Sequence, residues 1–580
     1  MTTATDIAPP KNTNRLAARI GWAALIVATL YVSYFSHLGA IGFVGPDEPR
    51  YAWIARDMAE TGDWVTPRLY GKPWFEKPPL YYWGAAICFK LFGVSEAAAR
   101  LPSAISALLA TLAMAWLAWR VYGAETARWL LLLLPTTVGM IGFSHAAATD
   151  MPFSAMLTIA MVCAAVLLRL PLECGGLPPL SPHEASATES TGTLTAAPAS
   201  SSFISPTSFT SSTSFASLLF GFFLGLAVLA KGPAAIVLCG GAVFLWAIFT
   251  KHWRDALRLF HPAAIASFCV TALPWYILCA RRNPDFLRIF IIEHNFKRYL
   301  TPEFQHIQPF WFYLPILLAA FLPWTVGILA ALVDSRSRSP LNGFFLSFGL
   351  FPVLFFTISR SKLPGYILPA VPPLAWLLAN TTSALVAKRP DKRLLAATFA
   401  ITSVLVAIAV ERFAAHRALG TDIIPAPWTT NVWFPLLIAG ILGGILALLR
   451  RPVTCLCALQ LGILLATWNL SSGLASVDPQ FSARGVITAS HTDVQSLTFA
   501  DVLVYDVPRG IHYGLNFYVR REIPEWTSGT RGVVFSSWKG QSKLQDEGYA
   551  CQQHLVFPAA VLCRRPEALP AYASSGRKSQ

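Results

Sequence analysis

The sequence is poor in charge. Asp, Glu, Lys and Arg make up 13% of its 580 residues, about half the fraction usual in a soluble globular domain. Hydrophobic residues make up 54%, and the mean hydropathy is +0.51. Such a composition excludes an ordinary soluble protein and points to a chain that crosses a bilayer many times. Also lacking are a Gly-rich phosphate loop, an internal repeat of clear period and a cleavable signal peptide. The first apolar stretch follows Lys11, Arg15 and Arg19 and runs from near Leu16 to about Phe35. It is too long for a signal h-region and reads as a signal anchor. Acidic residues are fewer than basic ones, 30 against 45, which leaves a net charge of +15. A soluble chain of that charge would suggest nucleic acid; here the cations gather in loops on one side of the membrane.

The apolar segments fall at 16–37, 98–119, 125–144, 151–169, 216–230, 233–250, 262–280, 309–333, 342–358, 363–382, 394–411, 431–449 and 453–470. They predict an all-α polytopic membrane protein of about thirteen helices. A shorter apolar stretch, 79–92, follows two prolines and contains Lys90; it reads as an interfacial helix. With the N-terminus cytoplasmic, alternate loops carry Arg120 and Arg128, Arg169, then Lys251, Arg254 and Arg258. The later ones carry Arg336 and Arg338, then Lys388 to Arg393, then Arg450 and Arg451. This asymmetry fixes the orientation and puts the C-terminal region on the outer, periplasmic side.

Residues 1–470 thus form the transmembrane domain, with an outer loop at 38–97. Residues 170–215 are rich in Ser, Thr, Pro and Ala and read as a disordered cytoplasmic insertion. Residues 471–580 form a small α/β domain, with strands expected at Asp501–Asp506, Leu515–Val519 and Gly532–Ser536. Of 10 cysteines, several (Cys163, Cys239, Cys269, Cys279) lie in apolar stretches and act as small hydrophobes. Cys551 and Cys563 lie in the polar C-terminal region and can pair in an oxidising compartment.

Charged groups at helix ends facing a cavity are the functional candidates in such a chain. Asp47-Glu48-Pro49-Arg50-Tyr51 follows the first helix. One acid can act as a general base while the other holds a partner or metal, although Asp47 would also serve as an ordinary helix N-cap. Glu76-Lys77 lies among Trp74, Tyr81, Tyr82 and Trp83, an aromatic belt that anchors a loop at the interface without explaining the charges. Asp150 opens the fourth helix, where capping again competes. Lys231, Glu293-His294, Arg298 and Lys362–Tyr366 occupy further outer turns. That all fall on one face argues for an outward-facing site.

Asp47-Glu48-x-Arg50-Tyr51-Ala52, Gly62-Asp63-Trp64 and Phe75-Glu76-Lys77-Pro78-Pro79-Leu80 resemble the 4-amino-4-deoxy-L-arabinose transferase family, relatives of the protein O-mannosyltransferases. Thr149-Asp150-Met151-Pro152, Lys231-Gly232-Pro233, Glu293-His294 and Lys362-Leu363-Pro364-x-Tyr366 extend the likeness over about residues 40–370. The resemblance implies a GT-C fold and inverting sugar transfer from a polyprenyl-phosphate carrier at the outer face of the bacterial inner membrane. The acceptor would be lipid A or another envelope glycolipid. It also implies Asp47 as the catalytic carboxylate, with Glu48 as runner-up, and Asp150 as a second acid near the acceptor. Lys77, Arg298, Tyr366, Lys231 and Arg50 become carrier-phosphate contacts, and Glu76 with His294 can hold a zinc ion. No nucleotide cofactor is needed. A protein O-mannosyltransferase-like enzyme would differ in sugar and acceptor. A flippase of lipid-linked sugars would call for charges deep in the helices and internal repeats.

Overall fold

The computed structural model describes residues 11–170, 206–297, 308–333, 339–388, 393–416, 426–492, 497, 501–552 and 559–565. The chain opens with α1 (Lys11–Tyr34), then an outer layer of α2 (Asp47–Thr61), the hairpin β1 (Arg68–Leu69) and β2 (Lys72–Pro73), and α3 (Leu80–Phe92). The bundle continues through α4 (Glu96–Tyr122), α5 (Ala124–Leu133), α6 (Val138–Ser144) and α7 (Asp150–Leu167). Then come α8 (Pro206–Lys231), α9 (Ala234–Thr250), α10 (Pro262–Arg282), α11 (Tyr313–Ala320) and α12 (Thr325–Val333). It ends with α13 (Pro340–Ile358), α14 (Val371–Lys388), α15 (Arg393–His416), α16 (Ala426–Leu448) and α17 (Pro452–Gly473).

Every predicted apolar segment lies on helix, but not every segment is one straight span. Among the described residues eight helices are long and apolar enough to cross a membrane, or up to ten if two bent pairs each count as one. The predicted segment 125–144 is α5 plus α6, bent by 63°, and 309–333 is α11 plus α12, bent by 107°. Pro135 and Pro323 stand at these breaks, where a ring without an N–H cannot continue the ladder. The segment 363–382 opens as a 3₁₀ turn, Pro364–Ala370, before α14. Helix α3 has 13 residues, too few for a span of about 20.

Two expectations need correction. Helix α8 begins at Pro206, inside the predicted 170–215 linker, because proline is tolerated in a first helical turn and an apolar run follows; residues 171–205 lie outside the described residues. The predicted strand at Leu515–Val519 belongs to a helix, α18 (Arg509–Val519). Ile511, Leu515 and Val519 are all buried at spacings of four, the period of one helix face, which a five-residue window cannot reveal.

The C-terminal sheet runs in the order β3-β4-β6-β5. Its strands are β3 (Val502–Tyr505), β4 (Val533–Ser536), β5 (Ala550–Cys551) and β6 (Val561–Arg564). Strands β3 and β4 are parallel, with α18 between them in sequence. Cys551 and Cys563 face each other across β5 and β6 and form a disulfide. The Ile511-Leu515-Val519 face of α18 packs on the sheet. Phe517, on another face, joins the outer-layer core of Phe43, Tyr51, Ile54, Tyr81 and Tyr82.

Candidate functional site

Helix α2 starts at Asp47 behind Gly45 at φ +69°. Pro46 occupies the cap position with no side-chain cap bond, so Asp47 is not the N-cap that the sequence allowed. It sits in the first turn, where the helix dipole favours a carboxylate, and its side chain is 51% exposed. Its carboxylate pairs with Arg50 one turn on.

Arg50 is buried and held from several sides. Nε donates to Pro46 O at 2.9 Å and Nη1 to Glu76 Oε2 at 3.1 Å. Its Cζ lies 5.7 Å from the Trp74 ring and 5.9 Å from that of Tyr51. Lys77 Nζ stands 3.6 Å from the other Glu76 oxygen. The start of α2 and the loop before α3 therefore carry Asp47, Arg50, Glu76 and Lys77 as one charged group.

Glu48 faces the opposite way and is 7% exposed. Its carboxylate accepts from Val44 N at 2.7 Å, Ala147 N at 2.6 Å, and Arg100 Nε and Nη2 at 3.0 and 2.8 Å. The same guanidinium donates to the carbonyls of Leu38, Ile41 and Gly42 at 2.7–2.8 Å. With four donors on its two oxygens, this carboxylate has no open position for a substrate hydroxyl. Arg100 escaped the sequence reading, although an Arg four residues into an apolar helix, behind the Ser95 cap, is the kind of costly charge that demands a partner.

The Glu48 bond to Ala147 ties α2 to the turn before α7. There Asp150 opens the helix, again without a side-chain cap bond. Its carboxylate holds Lys231 at the end of α8. Lys231 Nζ lies 4.8 Å from the Tyr366 ring centroid and 5.4 Å from that of Phe153. The Pro364–Ala370 turn approaches so closely that a Cβ on Gly365 would lie 2.7 Å from Asp150 Oδ1. Lys362 is buried and donates to Ser359 O at 2.7 Å and Gln308 O at 3.2 Å, which anchors that turn. Asp150, Lys231 and Tyr366 thus meet.

Phe75, next to Glu76, shares a core with Leu229, Trp275, Cys279, Phe286 and Phe290. This core joins the Glu76 loop to the end of α8 and to the segment that carries His294. Arg298 lies outside the described residues. Among the described residues no three His, Cys, Asp or Glu side chains converge as a metal site. Glu76 already faces two cations, Arg50 and Lys77, so its surroundings fit a divalent ion poorly.

A family model described as dolichyl-phosphate-mannose-protein mannosyltransferase matches residues 20–175 and 193–290. The undecaprenyl phosphate-alpha-4-amino-4-deoxy-L-arabinose arabinosyl transferase of Edwardsiella ictaluri is 32% identical over 365 residues, 62% of this chain and 59% of that protein. The protein of the same name in Serratia proteamaculans is 31% identical over 63% of this chain and 59% of its own length. The crystal structure of ArnT from Cupriavidus metallidurans bound to undecaprenyl phosphate superposes with a TM-score of 0.71 at 23% identity. That match covers 94% of this chain and 98% of the other. Over about three fifths of its length the chain is similar to these aminoarabinose transferases. It has their GT-C fold and is a multi-pass membrane protein, as the motifs implied. It spans about three fifths of the curated relatives' length in the matched region.

Proposed function

We propose that this protein is a membrane glycosyltransferase that moves a sugar from a polyprenyl-phosphate carrier to a cell-envelope acceptor. The reading extends to 4-amino-4-deoxy-L-arabinose as the sugar, lipid A as the acceptor, and the periplasmic face of the inner membrane as the place. The observation that carries it is the split of the acid pair. Asp47 is half exposed beside a buried arginine, while Glu48 is locked into the protein.

Inverting transfer needs a base for the acceptor hydroxyl as its oxygen attacks the anomeric carbon. Asp47 is the open carboxylate at the site, and Arg50 orients it. The C–O bond to the carrier breaks as the new one forms, and the carrier leaves as a phosphate monoester. Cations must meet the charge that develops there. Arg50 on α2, Lys77 in the loop before α3 and Lys231 at the end of α8 supply it, with the Tyr366 ring beside Lys231. Asp150 keeps Lys231 in place and, with Lys231 and Tyr366, makes a second cluster, where an acceptor would enter. The two cations at Glu76 weigh against a zinc shared with His294; metal analysis of purified protein against His294→Ala tests this, and no step above uses a metal.

The orientation follows the same logic. The acids and cations of the site gather at one end of the bundle, whereas Arg120 lies in the last turn of α4 and Arg169 and Lys251 follow the far ends of α7 and α9. The deciding experiment is transfer by purified protein in nanodiscs, with radiolabelled polyprenyl-phosphate sugars, lipid A and a membrane extract as acceptors. Transfer that fails in Asp47→Asn supports the enzyme and names its donor. Carrier movement across the bilayer without transfer would favour a flippase.

A further inference from the structure

We infer that the C-terminal domain completes the site, with Tyr513 of α18 as a positioning residue for Arg50. The Tyr513 ring centroid lies 5.3 Å from Arg50 Cζ, closer than the rings of Tyr51 or Trp74. Those two come from the outer loop itself; Tyr513 reaches in from a different domain. Arg509, one turn earlier, has its Cζ 5.8 Å from the same ring and its Nη2 3.4 Å from the Tyr513 hydroxyl. A cation near an aromatic face in a desolvated site is attracted to the ring and loses freedom of motion.

The placement of Tyr513 is fixed along the whole length of α18. At the start, Gly510 rests on Gly45, two residues before Asp47, so closely that a Cβ would lie 2.8 Å from the Gly45 carbonyl carbon. Further on, Asn516 Nδ2 donates to the Tyr70 hydroxyl at 2.9 Å. Arg56 Nη1 reaches Phe517 O at 3.3 Å, and the Tyr518 hydroxyl donates to Glu96 at 2.6 Å. Burial pushes the Tyr518 phenol well above its usual range, which keeps that donor protonated. Arg484 adds bonds to Glu96 and Asp478 and to the carbonyls of Gly39 and Ala40. None of these contacts involves a residue proposed to touch the carrier. Together they press one aromatic ring against the arginine that orients Asp47.

This inference rests on the reading of Arg50 as a carrier-phosphate and Asp47 partner. The test replaces Tyr513 in the full-length protein and reads sugar transfer. Tyr513→Phe keeps the ring and should stay within about twofold of the wild type, whereas Tyr513→Leu should lose about tenfold in kcat/KM, the loss expected for a cation–π contact between a buried arginine and a half-buried ring. Fluorinated phenylalanines at the same position keep the shape and drain the ring face of charge. Transfer should fall stepwise as fluorines are added, a response that packing alone does not give. A flat fluorination series, or equal losses in Phe and Leu, would overturn the inference. The fluorinated variants answer the question even if Tyr513→Leu undocks the domain. A wild-type protein that transfers nothing would instead sink the transferase reading, and the series would then be read on binding of polyprenyl phosphate.

Discussion

Asp47 and Glu48 are neighbours in sequence with different surroundings, and substitution should separate them. Asp47→Asn keeps the shape and removes the proposed base, so transfer should fall by about 10²–10⁴, the usual worth of a general base, with the protein still folded and inserted. A melting temperature beside the transfer rate checks both halves. Arg100→Leu should do the reverse. It strands Glu48 without its cation, a change worth about 3–5 kcal/mol for a buried pair, and the yield of folded protein should collapse in detergent-solubilised membranes. Of these residues the sequence displayed Asp47, Arg50 and Lys77, because the motifs are local. It hid Arg100 and Tyr513, whose meaning depends on partners 52 residues away for Arg100 and in another domain for Tyr513. It also left open which acid of the pair is free, a question decided by the Arg100 cage.

At the scale of elements, the long spans were legible because a run of apolar residues needs no partner to be recognised. The bends at Pro135 and Pro323 and the helical state of α18 were not, since each depends on packing. The loop after α2 shows how such packing works and how it responds to pH. Asp63 receives the amides of Val65 and Thr66 at 3.1 and 3.3 Å and Arg282 of α10 at 3.1 Å. Burial works to raise this carboxyl, but those amides, with Arg282 and Arg68, outweigh it and hold it below its ordinary value. A depressed native value means that the stabilisation is present above the ordinary carboxylate range, near pH 4. It is lost as pH falls through the lower native value. Thermal melts between pH 7 and 3 should show the wild type losing more than Asp63→Asn, because the amide variant has no proton to take up. Equal slopes would mean that the tie to α10 does not hold the loop. A different element tests the second cluster. Gly365→Ala places a methyl against Asp150 and should displace it from Lys231, lowering transfer while leaving the carrier affinity of the Arg50 cluster largely intact.

At the scale of the whole molecule, the proposed orientation joins features far apart in the chain. The acid-bearing starts of α2 and α7 and the Lys231 end of α8 lie at the end of the bundle where α18 docks. The basic ends of α4, α7 and α9 lie away from it. A disulfide between β5 and β6 belongs in an oxidising compartment, which on this arrangement is the periplasm, on the same side as the site. The bond closes a loop of sequence separation 12, and a loop of that size is worth about 2–4 kcal/mol to the folded state. The double variant Cys551→Ser, Cys563→Ser should therefore loosen the C-terminal domain and expose it to protease, while the transmembrane helices stay inserted. Because that domain carries Tyr513, transfer should fall together with its docking. In cells without their periplasmic thiol oxidase, the unaltered protein should behave like the double variant, with both thiols open to an alkylating reagent. A disulfide that forms equally well in those cells would remove this support for a periplasmic domain. A domain that resists protease without the bond would show that docking on α2 and α4 is enough to hold it.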